Sequence, residues 1–152
     1  MPLPRKTVLR AAALAVVLGA AAFAVWYIPP AGYMTNDVTT GQHSGYPDLQ
    51  PRRYDLDIAA TTLYASEAAR RLRGWVVKRT VPGEGVVQAE VGVPALLPVF
   101  TDDVTVTITS DGDLSRVVIR SHSRLGRGDL GENARHIRAL QRAMDERLPP
   151  AG

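Results

Sequence analysis

The chain has 152 residues, 45% of them hydrophobic and 22% charged, enough for one domain around a modest core. Its net charge of +3 does not describe a nucleic-acid binder: three of the 18 basic residues, Arg5, Lys6 and Arg10, precede an uncharged apolar segment, and the others are matched by the 15 acidic residues, so little surplus charge is left to neutralise phosphates. The absence of cysteine excludes disulfides, thiolate metal sites and a lipid-modified cysteine.

Residues 1–10 read as a basic leader facing the cytoplasm. Residues 11–28, "AAALAVVLGAAAFAVWYI", carry no charge, and as a helix they cover about 27 Å, near the thickness of a bilayer's hydrocarbon core. With the charges only on the amino-terminal side, the positive-inside rule sends the rest of the chain outward and places Trp26 and Tyr27 at the outer interface. The same stretch also reads as a signal peptide, because Ala22 and Ala24 form an A-x-A site after a short apolar run, with cleavage near Ala24. A retained anchor is the preferred reading, since the apolar run continues through Ile28. A buried core helix fits less well, because the segment has no polar face.

Residues 29–51 contain Pro29, Pro30, Pro47 and Pro51, several glycines and the polar run "TNDVTTGQHSG", a composition that predicts an extended tether. The globular domain is expected at 52–148. "RRYDLDI" reads as a short strand ending at Asp57, which can cap a helix over 58–73 with Ala60, Tyr64, Ala68 and Leu72 on one face. Gly74 suits a left-handed stop, after Arg70, Arg71 and Arg73 have met the negative end of the helix dipole.

"WVVKRTV", a turn at "PGEG" and "VVQAEVGV" have hairpin spacing. After an apolar loop, "PALLPVF", the run "DDVTVTITS" alternates, with Val104, Val106 and Ile108 on one face, and "DG" at Asp111 and Gly112 signals a tight turn. The returning strand "LSRVVIRSHSR" puts Val117, Ile119, Ser121 and Ser123 on one face and Arg116, Val118, Arg120, His122 and Arg124 on the other. The last helix is expected to start at Asp129, with Glu132 completing a capping-box-like pattern. Leu130, Ala134, Ile137, Met144 and Leu148 form its apolar stripe, and Arg135, Arg138 and Arg142 lie opposite. Pro149 and Pro150 stop it, leaving 149–152 as a tail. The element order β-α-β-β-β-β-α predicts an α+β two-layer sandwich. An antiparallel sheet of about four to five strands carries two helices on one face, and an N-terminal transmembrane helix precedes it.

"NDVTT" (36–40), "YPDLQP" (46–51), "DDVTVTI" (102–108) and "SRLGRGDLGENARHIRAL" (123–140), in that order and with Trp75 after the first helix, resemble the domain of unknown function 1499 family over nearly all of Asn36 to Leu148. The resemblance implies a bacterial envelope or membrane-attached protein, and supplies no catalytic residue to carry over.

Arg124, Arg127, Asp129, Asn133 and Arg135 are the candidate ligand site. A helix start offers free N–H groups, and arginines supply forked donors for an anion. The architectural explanation is equally specific. Gly126, Gly128 and Gly131 shape the connection, Asp129 caps the helix, and the arginines pair with Glu132 or Asp102. The Arg-Gly-Asp run at Arg127 to Asp129 reads as a chance match.

Asp102 and Asp103 point to opposite faces as strand neighbours, which favours a charged strand end over a catalytic pair. His43, His122 and His136 have no metal-ligand spacing, and no nucleophile elbow or phosphate-binding glycine loop is present. Ser44 beside His43 lacks the geometry of a triad. Catalytic residues, metal and cofactor are therefore expected to be none.

The expectation is a non-enzymatic accessory domain on a single membrane span, facing outward, that binds an anionic envelope component, such as headgroups met by Arg116, Arg120, His122 and Arg124, or an envelope protein. The alternative is an enzyme with a polar site near the last helix start. That reading calls for a concave pocket and a strongly perturbed carboxylate.

Overall fold

The computed structural model describes residues 5–27, 30–92, 101–148 and 150–151. The loop "PALLPVF", Pro149 and the side chains of Trp26 and Tyr27 lie outside the described residues. Helix α1, Arg5–Tyr27, contains a window of mean hydropathy 1.7 at Arg5–Phe23, none of it buried against the rest of the chain. It is long and apolar enough to cross a membrane.

The folded part is α+β. Strands β1 (Asp37–Thr39), β2 (Arg52–Tyr54), β3 (Trp75–Val81), β4 (Val86–Gly92), β5 (Thr101–Asp111) and β6 (Leu114–Ser123) form one antiparallel sheet in the order β1-β6-β5-β4-β3, with β2 also on β6. Helices α2 (Ile58–Arg71) and α3 (Glu132–Asp145) cover one face. The expected alternation holds: Val104, Val106, Ile108, Val117 and Ile119 are buried beneath the helices with Val87 and Val91, and the threonines of β5 face outward. The β3–β4 connection needs its glycine. Gly85 has φ +66°, and a Cβ there would collide with the Ile108 carbonyl oxygen.

The tether expected at 29–51 is instead folded onto the domain from about residue 31. Val38 of β1 and Tyr46 and Leu49 of the following loop belong to the core. β1 and β2 run in the same direction along one edge of β6, pairing with His122–Arg120 and then Val117–Ser115. They amount to one edge strand interrupted by an excursion over residues 40–51. Composition misled here because the apolar anchors Val38, Tyr46 and Leu49 are single residues spaced among turn formers, whereas sequence periodicity needs runs.

Three further details differ from expectation. α2 turns its small residues, Thr61, Thr62, Ala65, Ser66, Ala68 and Ala69, to the sheet, which lets it lie close. Bulkier Tyr64 sits at the margin and donates its hydroxyl to the Met144 carbonyl at 2.9 Å. α3 begins at Glu132 rather than Asp129, because Leu130 and Gly131 both take left-handed φ, +57° and +82°. Leu130 consequently leaves the apolar stripe and is exposed.

Candidate functional site

Register builds a polar corner at one end of the core. Asp102 pairs with Ser123 and Val104 with Ser121, so Asp102, Ser121 and Ser123 share the face that carries valines elsewhere. α3 crosses this end and lowers Asn133 and His136, one turn apart, onto it. Asn133 is fully buried. It accepts from Ser121 Oγ at 2.6 Å and donates to Ser123 Oγ at 2.8 Å and to the Asn36 carbonyl at 3.0 Å. One side chain thereby ties α3, β6 and the segment before β1 together.

His136 Nδ1 lies 3.4 Å from Asp102 Oδ2 and 3.5 Å from Ser121 Oγ, with Trp75 meeting the imidazole edge-on at 6.0 Å. Burial pushes the Asp102 carboxyl up, against a hydrogen bond from Ser123 and the attraction of His136. Burial pushes His136 down, against the attraction of Asp102. A serine, a histidine and an aspartate in contact suggest a hydrolytic triad, but the connectivity is wrong. Asp102 and Ser121 approach the same ring nitrogen, so His136 cannot take a proton from one while being oriented by the other. Ser121 is also completely buried, with no approach for a substrate.

Of the five residues expected to form a ligand site, Asp129, Asn133 and Arg135 meet at the start of α3, while Arg124 is engaged elsewhere. Arg124 lies on the outer face of the sheet, bound to Asp103 (2.6 and 2.9 Å) and Glu90 (2.7 Å), with Lys78 reaching the other Glu90 oxygen at 2.9 Å. Its partner is Asp103, not Asp102. Asp102 is buried and is no solvated strand end. Asp129 accepts from the N–H groups of Gly131 at 2.8 Å and Asn133 at 2.7 Å, so it caps the helix from three residues before the helix start. Arg135 donates to the Leu130 carbonyl and to Glu132, closing the same turn. Asn133 faces the core. Arg127 is exposed, and among the described residues it makes no ion pair.

Two arginines of the basic outer strand, Arg120 and Arg124, are paired, whereas Arg116 makes no ion pair among the described residues. Arg120 holds Asp37 through two hydrogen bonds, which keep that carboxyl low, and Arg53 pairs with Asp111. Open depressions of about 660 Å³ along α2, beside Leu63, Tyr64 and Arg70, and about 530 Å³ at the β1 edge, beside Thr105, Thr107 and Arg120, are lined by other residues than the polar corner. No group of histidine, aspartate and glutamate among the described residues could hold a metal.

The corner was missed in sequence because it is assembled from four separate segments. A signal existed: Ser121 and Ser123 continue the apolar face of β6, and buried serines need polar partners from whatever covers them.

The crystal structure of TTHA0849 from Thermus thermophilus is similar to this chain at 11% identity, with a TM-score of 0.36, covering 73% of this chain and 95% of that one. No curated protein matches the sequence. The family described as "Protein of unknown function (DUF1499)" matches residues 28–144, which take in the exit from α1, the split edge strand, the polar corner and nearly all of α3. The chain belongs to the DUF1499 family.

Proposed function

We propose that the protein is a single-span membrane protein whose folded domain works on the outer side of the cytoplasmic membrane. There it acts as a non-enzymatic module that binds a protein or an anionic component of the cell envelope. The observation that carries the reading is an apolar helix, unburied over Arg5–Phe23, whose basic residues Arg5, Lys6 and Arg10 all lie in its first two turns. The non-catalytic half is supported by the use made of the polar residues around the last helix. Asp129 is spent on a cap and Asn133 on internal bonds.

The test is protease accessibility in spheroplasts, with the mass of the mature chain. An intact chain whose domain is digested from outside is the expected result. A protected domain, or a chain beginning just after Ala24, would overturn the anchored reading. For binding, Arg127→Ala in the full-length protein should weaken retention of an envelope partner in cross-linking. An unchanged cross-link pattern would count against Arg127 as part of the surface.

A further inference from the structure

We infer that the domain rests directly on the membrane through the end that carries Met34, Leu125 and Leu130, with Arg127 placed for anionic headgroups. This rests on the anchored reading above, and it fixes which way the domain faces.

The geometry begins where the span ends. From Tyr27 to Pro30 the chain has three residue steps, about 11 Å at full extension, before the 3-10 turn Pro30–Tyr33. That turn is not free. The Gly32 carbonyl accepts from Leu130 N–H at 2.8 Å and the Thr35 carbonyl from Asp129 N–H at 3.1 Å, while the Asn36 side chain donates to the Gly126 carbonyl at 2.6 Å. Gly32 is needed for this approach, since a Cβ there would press on the backbone of Leu130 and Gly131 at 2.8 and 2.5 Å. The loop 124–131 is thereby fastened to the exit segment, and both are held at the end of the domain next to the span.

This end is where apolar surface is left open. Among the described residues of the folded domain, five large apolar side chains are exposed, and three of them, Met34 (87%), Leu125 (52%) and Leu130 (49%), belong to these two fastened segments. Leu130 is held outward by a left-handed φ that leucine adopts only against its own preference. Arg127, exposed between Leu125 and Leu130, adds the charge that suits an anionic leaflet. A bilayer covers such a patch with no partner protein, because the span already delivers it there.

Lack of cysteine makes the test direct. Single-cysteine variants Met34→Cys, Leu125→Cys and Leu130→Cys, with Leu63→Cys and Val76→Cys as controls, are spin-labelled in the full-length chain. The chain is reconstituted in vesicles of phosphatidylethanolamine and phosphatidylglycerol. Collision rates are read with oxygen, which concentrates in lipid, and with a nickel chelate, which stays in water. The first three labels should favour oxygen and the controls the chelate.

If all five labels are equally open to the chelate while the chain stays in the vesicles, the inference fails and the anchored reading stands. Labels shielded from both reagents would mean a protein contact, and would also overturn it. A mature chain found cleaved after Ala24 would remove the anchored reading itself. In the Leu125→Asp/Leu130→Asp variant, with circular dichroism unchanged, the label at position 34 should move into water. A label that stays in lipid there would overturn the role given to the two leucines.

Discussion

Asp102 and His136 face each other inside the domain, Oδ2 to Nδ1 at 3.4 Å, with 5% and 12% of their side chains exposed. Burial drives both towards their neutral forms, in opposite directions of pH. The folded pKa of Asp102 lies above the ordinary carboxylate value, so its contribution is complete below about 4 and is lost as pH rises through the folded pKa. The folded pKa of His136 lies below 6.5, so its contribution is complete above 6.5 and is lost as pH falls. Asp102→Asn removes the first loss. Relative to wild type it should gain thermal stability as pH rises above about 4, measured as the midpoint difference at each pH. Parallel profiles would mean that Asp102 is not ionised at a cost.

Asn133→Ala should destabilise the domain by about 3 kcal/mol, because Ser121, Ser123 and the Asn36 carbonyl lose a buried partner together and a single unsatisfied group costs about 1–3 kcal/mol. Asp129→Ala removes only cap bonds and should cost about 1 kcal/mol. Urea unfolding of the detergent-solubilised chain gives both values. Equal losses would show that the buried network is not the stronger fastening.

Gly32→Ala should cost about 1–2 kcal/mol through overpacking and loosen the exit segment. Hydrogen exchange locates the effect: the Asp129 and Leu130 amides, which donate to Thr35 and Gly32, should exchange faster, while those in the middle of β5 stay protected. Uniform acceleration would mean global destabilisation instead.

Arg124→Ala should leave the thermal midpoint nearly unchanged, because the ion pairs it makes are open to solvent. It should nevertheless raise the Glu90 carboxyl, which Arg124 chiefly and then Lys78 hold low. A carboxyl titration followed by NMR reads the change directly. A Glu90 titration that does not move would show that the pair is not populated in solution.

Much of the sheet was readable in advance because the period-two pattern of β5 and β6 is unbroken, and the glycine-marked turn at Asp111 and Gly112 set their pairing. The edge strand was not readable. Three-residue strands separated by a proline- and glycine-rich excursion carry no period of their own, and β1 and β2 become strands only because β6 offers them an edge. The candidate site came together only in part, for a similar reason. Arg124, Arg127 and Asn133 are close in sequence, but strand, loop and helix geometry send them to the sheet's outer face, to the surface loop and into the core.

The split edge strand also orders events in time. Asp37 and Arg120 are 83 residues apart and Asn36 and Asn133 are 97 apart, so residues 36–54 leave a ribosome long before the strand that receives them exists. Pairings this distant close late, since the loop-closure entropy comes first. Until β6 has emerged the chain has neither an edge for β1 nor a floor for α3. The domain can therefore close its edge strand and seat its last helix only once β6 has been made.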